Sequence, residues 1–143
     1  MTERTVFAYL FCTLENIMPF ALWSILLASF LPLCWALLAK AGAPYDNSQP
    51  RVVLAQAQGW RQRANWAQQN AWEAFPTYAA AMLLAWMMKV PAIRLDWLAG
   101  LYLLLRLGHG ACYVGNRASL RSLCWLGGYC VVIVLFVSAA GLF

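Results

Sequence analysis

Apolar residues run almost unbroken from 17 to 38, with Ser24 and Ser29 as the polar exceptions. A helix of that length spans the ~30 Å hydrocarbon core of a bilayer. Pro19 lies near its start, where a helix tolerates it, and Pro32 inside it predicts a kink. Glu15 and Asn16 stand just ahead, and Lys40 just after. The next stretch, AGAPYDNSQPR at 41–51, collects Gly, Pro, Asp, Asn and Ser and predicts an irregular loop. Residues 52–63 then form an amphipathic entry to a second span, with Trp60 suited to the headgroup level.

The second span has a length problem. Its apolar part, residues 74–88, makes only ~22 Å of helix, too short for the core. The polar turns ahead of it, RANWAQQNAWE, must therefore lie at or near membrane depth, or else stand in water as a helix end. As a helix, this stretch puts Arg63, Asn70 and Glu73 on one stripe, seven and three residues apart. Such groups are costly against lipid and should face other protein.

Residues 89–96 contain Pro91 and make a short turn with Arg94. A third span starts near Leu95. It is apolar to Leu105 and then carries Arg106, His109 and Tyr113, three and four apart on one helical face. A short basic connection follows with Arg117 and Arg121, and a last span to Phe143 has no charge. Gly127 and Gly128 allow close helix contact there. No repeat or low-complexity segment interrupts the chain. The pattern predicts one domain, residues 1–143, with helices at about 16–39, 64–89, 95–115 and 122–143. It is an all-α integral membrane protein, an up-down bundle of four transmembrane helices.

Composition agrees. The 143 residues are 64% hydrophobic and 10% charged, with mean hydropathy +0.64. Soluble domains carry about a quarter charged residues. No cleaved signal peptide is expected: Glu3 and Arg4 sit in the first ten residues, and Glu15 and Asn16 break the apolar run that follows. The cysteines, Cys12, Cys34, Cys112, Cys124 and Cys130, form no CxxC pair, and with a single histidine no metal site is expected. Most read as small buried hydrophobes.

The net charge of +5 is unevenly placed. Lys40, Arg51, Arg61, Arg63, Arg117 and Arg121 fall in the first and third connections. Arg4, Lys89 and Arg94 fall on the other side. The positive-inside rule puts both termini outside and the basic connections in the cytoplasm. No basic run carries the structure that nucleic-acid binding would need.

An up-down arrangement brings Arg63, Asn70 and Glu73 to the same depth as Arg106, His109 and Tyr113, with Arg117 and Arg121 next to them. Glu73 cannot neutralise so many arginines. The surplus points to an anionic ligand, since guanidinium groups suit bidentate carboxylate contacts. Plainer readings stand beside this one. Glu73 and Arg106 can be a structural pair, and His109 can satisfy a neighbouring backbone group. Tyr113 can be an interfacial aromatic, and Arg117 a charge facing phospholipid.

The stretch at 40–85, with AKAGAPYDN and then RANWAQQNAWEAFP, resembles bacterial members of the MAPEG family, the membrane-associated proteins of eicosanoid and glutathione metabolism. The second half is similar to the family's prostaglandin E synthase branch: Arg106, His109 and Tyr113 reproduce an R-x-x-H-x-x-x-Y spacing. LRS at 120–122 is similar to the IRS segment opening that branch's fourth helix. Two departures are visible. Trp66 stands where mammalian relatives often have a second arginine, and the link from Tyr113 to Arg121 is one residue shorter than in the synthase.

The resemblance implies a homotrimer with glutathione bound between neighbouring subunits near the cytoplasmic face. It implies that Arg63, Asn70, Glu73, Arg106, His109, Tyr113 and Arg117 bind glutathione. It implies that Arg121 stabilises the thiolate, with Ser122 beside it. The leading function is a glutathione-dependent transferase or peroxidase of the bacterial inner membrane. Its second substrate is a hydrophobic electrophile arriving from the lipid. The alternative is a non-enzymatic lipid- or ligand-binding protein on the same scaffold. A small multidrug exporter would want a carboxylate in the middle of the first span, and residues 17–38 have none.

Overall fold

A computed structural model describes residues 18–42 and 44–142. Expectations about residues 1–17, including the uncleaved N-terminus and the start of the first span near 16, lie outside them. The described chain is helical without strands. Its helices are α1 (Phe20–Lys40), α2 (Pro50–Ala55), α3 (Gly59–Met87), α4 (Ala92–Val114) and α5 (Ala118–Ala139).

Hydrogen bonds between helix ends set the directions. The Ala21 N–H at the start of α1 donates to Asp96 Oδ1, in the second turn of α4, at 2.8 Å. At the other end, Arg61 Nε near the start of α3 donates to Ala39 O at 3.0 Å. Arg63 Nε donates to Val114 O, the last residue of α4, at 2.9 Å. So α1 and α4 point one way and α3 the other, and the turn at 115–117 sends α5 back. Asn116 at φ 57 makes that turn, in the left-handed region that Asn tolerates better than most residues.

The segment read as an amphipathic entry divides in two. Asn65 Nδ2 donates to Leu54 O at 3.2 Å and ties the short α2 to α3. Gly59 has φ 60, a conformation few side chains permit, and α3 begins on it, five residues ahead of the expected 64. The helices continue through Pro32 and Pro76.

Packing follows membrane rather than soluble logic. On α1, Trp23, Leu26, Phe30, Leu33 and Leu37 recur three and four apart and are exposed, while Ala21, Ser24, Ala28 and Pro32 face inward. A large exposed apolar face of this kind needs lipid or protein against it. By length and composition, α1 and α5 can cross a membrane. Both α3 and α4 carry polar residues within their length. The interior holds Tyr78, Met82, Leu95 and Leu135 with many alanines between. In lipid this contact is driven by dispersion and close approach, since the tails are as apolar as the side chains.

The closest approach is at Gly110, where an added Cβ would lie 2.2 Å from the Trp35 ring of α1. Gly110→Ala is expected to cost about 1–3 kcal/mol by overpacking. Gly100→Ala, where the nearest atom is 4.0 Å away, should be neutral. Thermal unfolding in detergent checks the pair; equal midpoints would show that Trp35 yields without cost.

Candidate functional site

The site grows from one face of α4, on which Tyr102, Arg106, His109 and Tyr113 follow at spacings of four, three and four. The facing residues are Asn70 and Glu73 on α3, and Arg121 and Trp125 on α5. Arg121 and Tyr113 lie at the end where α4 ends and α5 begins, and Asn70, Glu73 and Tyr102 lie near the middle of their helices.

Arg106 is 4% exposed. Its Nη2 donates to the Asn70 side-chain Oδ1 at 2.8 Å and to the Asn70 backbone carbonyl at 3.1 Å. Because Oδ1 accepts from a guanidinium, the amide is turned so that Nδ2 donates to Glu73 Oε2, at 3.4 Å. The result is a relay of guanidinium, amide and carboxylate. Glu73 meets Arg106 through Asn70 rather than in a direct ion pair, and the carboxylate is exposed.

Behind this relay the core is tied by tyrosines. Tyr102 Oη donates to Ala74 O at 3.3 Å. Its ring stacks on Tyr78, centroids 3.7 Å apart and planes 3° from parallel. The Tyr78 hydroxyl hydrogen-bonds Ser24 on α1. Gly128 on α5 leaves room for the Arg106 stem: a Cβ there would sit 3.6 Å from Arg106 Cδ.

His109 is buried, and its Nδ1 lies 3.1 Å from the Arg121 backbone carbonyl. A carbonyl only accepts, so Nδ1 carries the proton and Nε2 is left as a bare acceptor. That Nε2 is buried without a hydrogen-bond partner among the described residues. The Tyr113 ring meets His109 edge-on at 5.4 Å and carries the Arg121 guanidinium on its face at 4.5 Å. Trp66 packs against Tyr113 at 6.4 Å. Arg121 is half-buried, and its guanidinium has no hydrogen-bond acceptor among the described residues. Ser122 is exposed, and its Oγ donates to Ala118 O at 3.1 Å, leaving only its lone pairs.

Three cavities adjoin at Asn70. One, of about 200 Å³, lies between Glu73, Thr77, Tyr102, Arg106, Trp125 and Tyr129. A second, of about 380 Å³, lies between Trp66, Gln69, Glu73, Tyr113 and Arg121. The third, of about 210 Å³, is bordered by His109, Tyr113, Arg121, Ser122 and Trp125. Together they make a groove with cationic and amide groups along its wall and stacked aromatics, Trp125 and Tyr129, at its apolar side.

Two residues singled out in the sequence border none of these cavities. Arg63 turns its Nε to the Val114 carbonyl at the end of α4. Arg117 is exposed and borders a separate surface cavity with Asn116, Ser119 and Leu120. The sequence reading missed Tyr102, Gln69, Trp125 and Tyr129. A signal existed for three of them: Tyr102 lies one turn before Arg106, and Trp125 and Tyr129 follow Arg121 at intervals of four.

Among the described residues, no group of His, Cys, Asp and Glu could hold a metal ion. Cys34, Cys112, Cys124 and Cys130 are free thiols. Comparison with curated proteins found no match, and comparison with solved structures found none either. A sequence profile of the MAPEG family matches residues 13–141, nearly the whole chain. The chain therefore belongs to the MAPEG family, a family of helical membrane proteins.

Proposed function

We propose that the protein is a glutathione-dependent transferase or peroxidase of the membrane, acting on hydrophobic electrophiles in the groove between α3 and α5. The family includes glutathione-dependent transferases and related membrane proteins. The observation that carries the reading is the Arg121 guanidinium: it sits on the Tyr113 face, borders the groove, and finds no acceptor among the described residues. A cation held there, without an anion of its own, fits an anionic ligand.

Glutathione matches the donor set. It brings two carboxylates, one ammonium and a thiol, and when bound it supplies a thiolate nucleophile. Glu73, exposed at the groove, takes the ammonium. Arg106 spends Nη2 on Asn70 and has its remaining donors for a carboxylate. Asn70 and Tyr113 position the peptide, with His109 holding the Tyr113 ring edge-on from behind. Arg121 stabilises the thiolate, with the Ser122 oxygen beside it as an acceptor. Arg63 and Arg117 receive no direct contact within one subunit.

The arrangement in the membrane belongs to the same proposal. All four long helices cross the bilayer as an up-down bundle with both termini outside, and the groove opens near the cytoplasmic face. Three copies associate, so that a neighbour covers the polar flank that lipid cannot. The hydrophobic substrate enters from the bilayer past Trp125 and Tyr129, whose ring faces are partly exposed.

The test is turnover by detergent-purified protein with glutathione and chlorodinitrobenzene, and with an organic hydroperoxide. The expected result is a rate that saturates in glutathione and exceeds the uncatalysed one for at least one acceptor. Saturable binding with no turnover on either would move the protein to the non-enzymatic class on the same scaffold.

A further inference from the structure

A further cavity, of about 370 Å³, lies away from Arg106 and Arg121, where α1 ends against α2 and the first half of α3. Lys40, Tyr45, Arg51, Gln68 and Gln69 border it, and among the described residues no acidic one does. Lys40, the last residue of α1, holds its ammonium 4.5 Å over the Tyr45 ring. The Tyr45 Oη is buried with no hydrogen-bond partner among the described residues. Arg51 is exposed, and none of its guanidinium donors is engaged among the described residues. Asp46 is the nearest carboxylate along the chain. The Ser48 side chain and backbone N–H hydrogen-bond it and hold it below its ordinary value, so it stays anionic and turned to its own loop.

From these positions we propose that this cavity binds the phosphate of an anionic phospholipid headgroup. Lys40, Arg51, Tyr45, Gln68 and Gln69 can each donate: an ammonium, a guanidinium, a phenol and two amides. A phosphate presents several acceptor oxygens and a charge that two cations balance, with the arginine fork matching two oxygens at once. Depth selects a lipid over a soluble phosphoester. Lys40 ends an apolar helix whose outer face, Leu33 and Leu37, is exposed along the direction acyl chains would take. Basic pockets between helices at the headgroup level recognise anionic lipid in this way. The two sites share Gln69 at their borders but no cation, and either reading can fail alone.

Native mass spectrometry of detergent-purified protein tests it, with phosphatidylglycerol, phosphatidylcholine and soluble glycerol phosphate as separate probes. Wild type is expected to retain phosphatidylglycerol in preference to phosphatidylcholine. Arg51→Gln should lower that retention about tenfold, the scale of one charge-assisted pair. Tyr45→Phe keeps the ring under Lys40 and removes only the hydroxyl, and should lower it about threefold. Arg117→Gln removes an equal charge at the same end and should leave retention within about twofold. An equal loss in Arg117→Gln and Arg51→Gln would mean general surface attraction and would overturn the site. So would unchanged retention in both Arg51→Gln and Tyr45→Phe. Retention of glycerol phosphate as strong as that of phosphatidylglycerol would overturn the lipid assignment.

Discussion

Arg121→Ala should lower glutathione turnover by about a hundredfold, the usual scale for removing one group that stabilises developing or reactive negative charge. Glutathione binding should fall far less, because the proposed contact is to the sulfur and not to the carboxylates. The local fold should survive: His109 bonds the backbone carbonyl of Arg121, and that carbonyl remains in alanine. A cation beside a thiol lowers its pKa, so the bound thiol of wild type should ionise at lower pH than that of Arg121→Ala. Ultraviolet absorbance of the thiolate against pH reads this directly. Arg121→Lys should recover part of the rate, since a point charge still stabilises thiolate without the planar fork. If both proteins titrate at the same pH, Arg121 does not activate the sulfur.

Arg106→Ala has the largest expected effect on stability, about 3 kcal/mol. It removes a charge-assisted hydrogen bond from Asn70 Oδ1, leaves that oxygen without its donor, and opens a void beside Gly128. Glutathione affinity should fall with it, because Asn70 no longer has a fixed orientation. Glu73→Gln separates the two effects. Glu73 is exposed and accepts only the 3.4 Å contact from Asn70 among the described residues, so unfolding should move by no more than about 0.5 kcal/mol. Its glutathione affinity should nevertheless drop, because the ammonium loses its counter-charge. Chemical unfolding in detergent and glutathione titration on both variants check this. An unchanged affinity in both would leave the Arg106–Asn70–Glu73 relay a purely structural device.

Helical spacing made one side of the site legible. Arg106, His109 and Tyr113 share a face by their intervals alone, and α4 does present them together. The same rule placed Arg63 with Asn70 and Glu73, and here it fell short. Seven residues return to the same side of a helix but travel ~10 Å along its axis, which carries Arg63 to the end of α4 and the Val114 carbonyl. Spacing reports direction around a helix, not which neighbour waits at that height.

Contacts between helices were not legible for the same reason. The plainer reading of Glu73 and Arg106 as a structural pair meets a contact routed through Asn70. The plain reading of His109, satisfying a backbone group, describes one ring nitrogen, bonded to Arg121 O on α5. The other is left bare. Gly127 and Gly128 stood out as a pair, yet the tightest approach is Gly110 against Trp35, from helices far apart in sequence. The polar content of α3 and α4 was plain from the sequence, since Asn70, Glu73, Arg106 and His109 interrupt their apolar runs.

If the groove around Asn70 holds glutathione, the detergent-purified wild-type protein should bind labelled glutathione saturably at equilibrium. Unlabelled glutathione should displace it, and glutathione diethyl ester, with both carboxylates masked, should displace it poorly. Absence of saturable binding up to millimolar concentrations, or equal displacement by the diester, would contradict glutathione binding there.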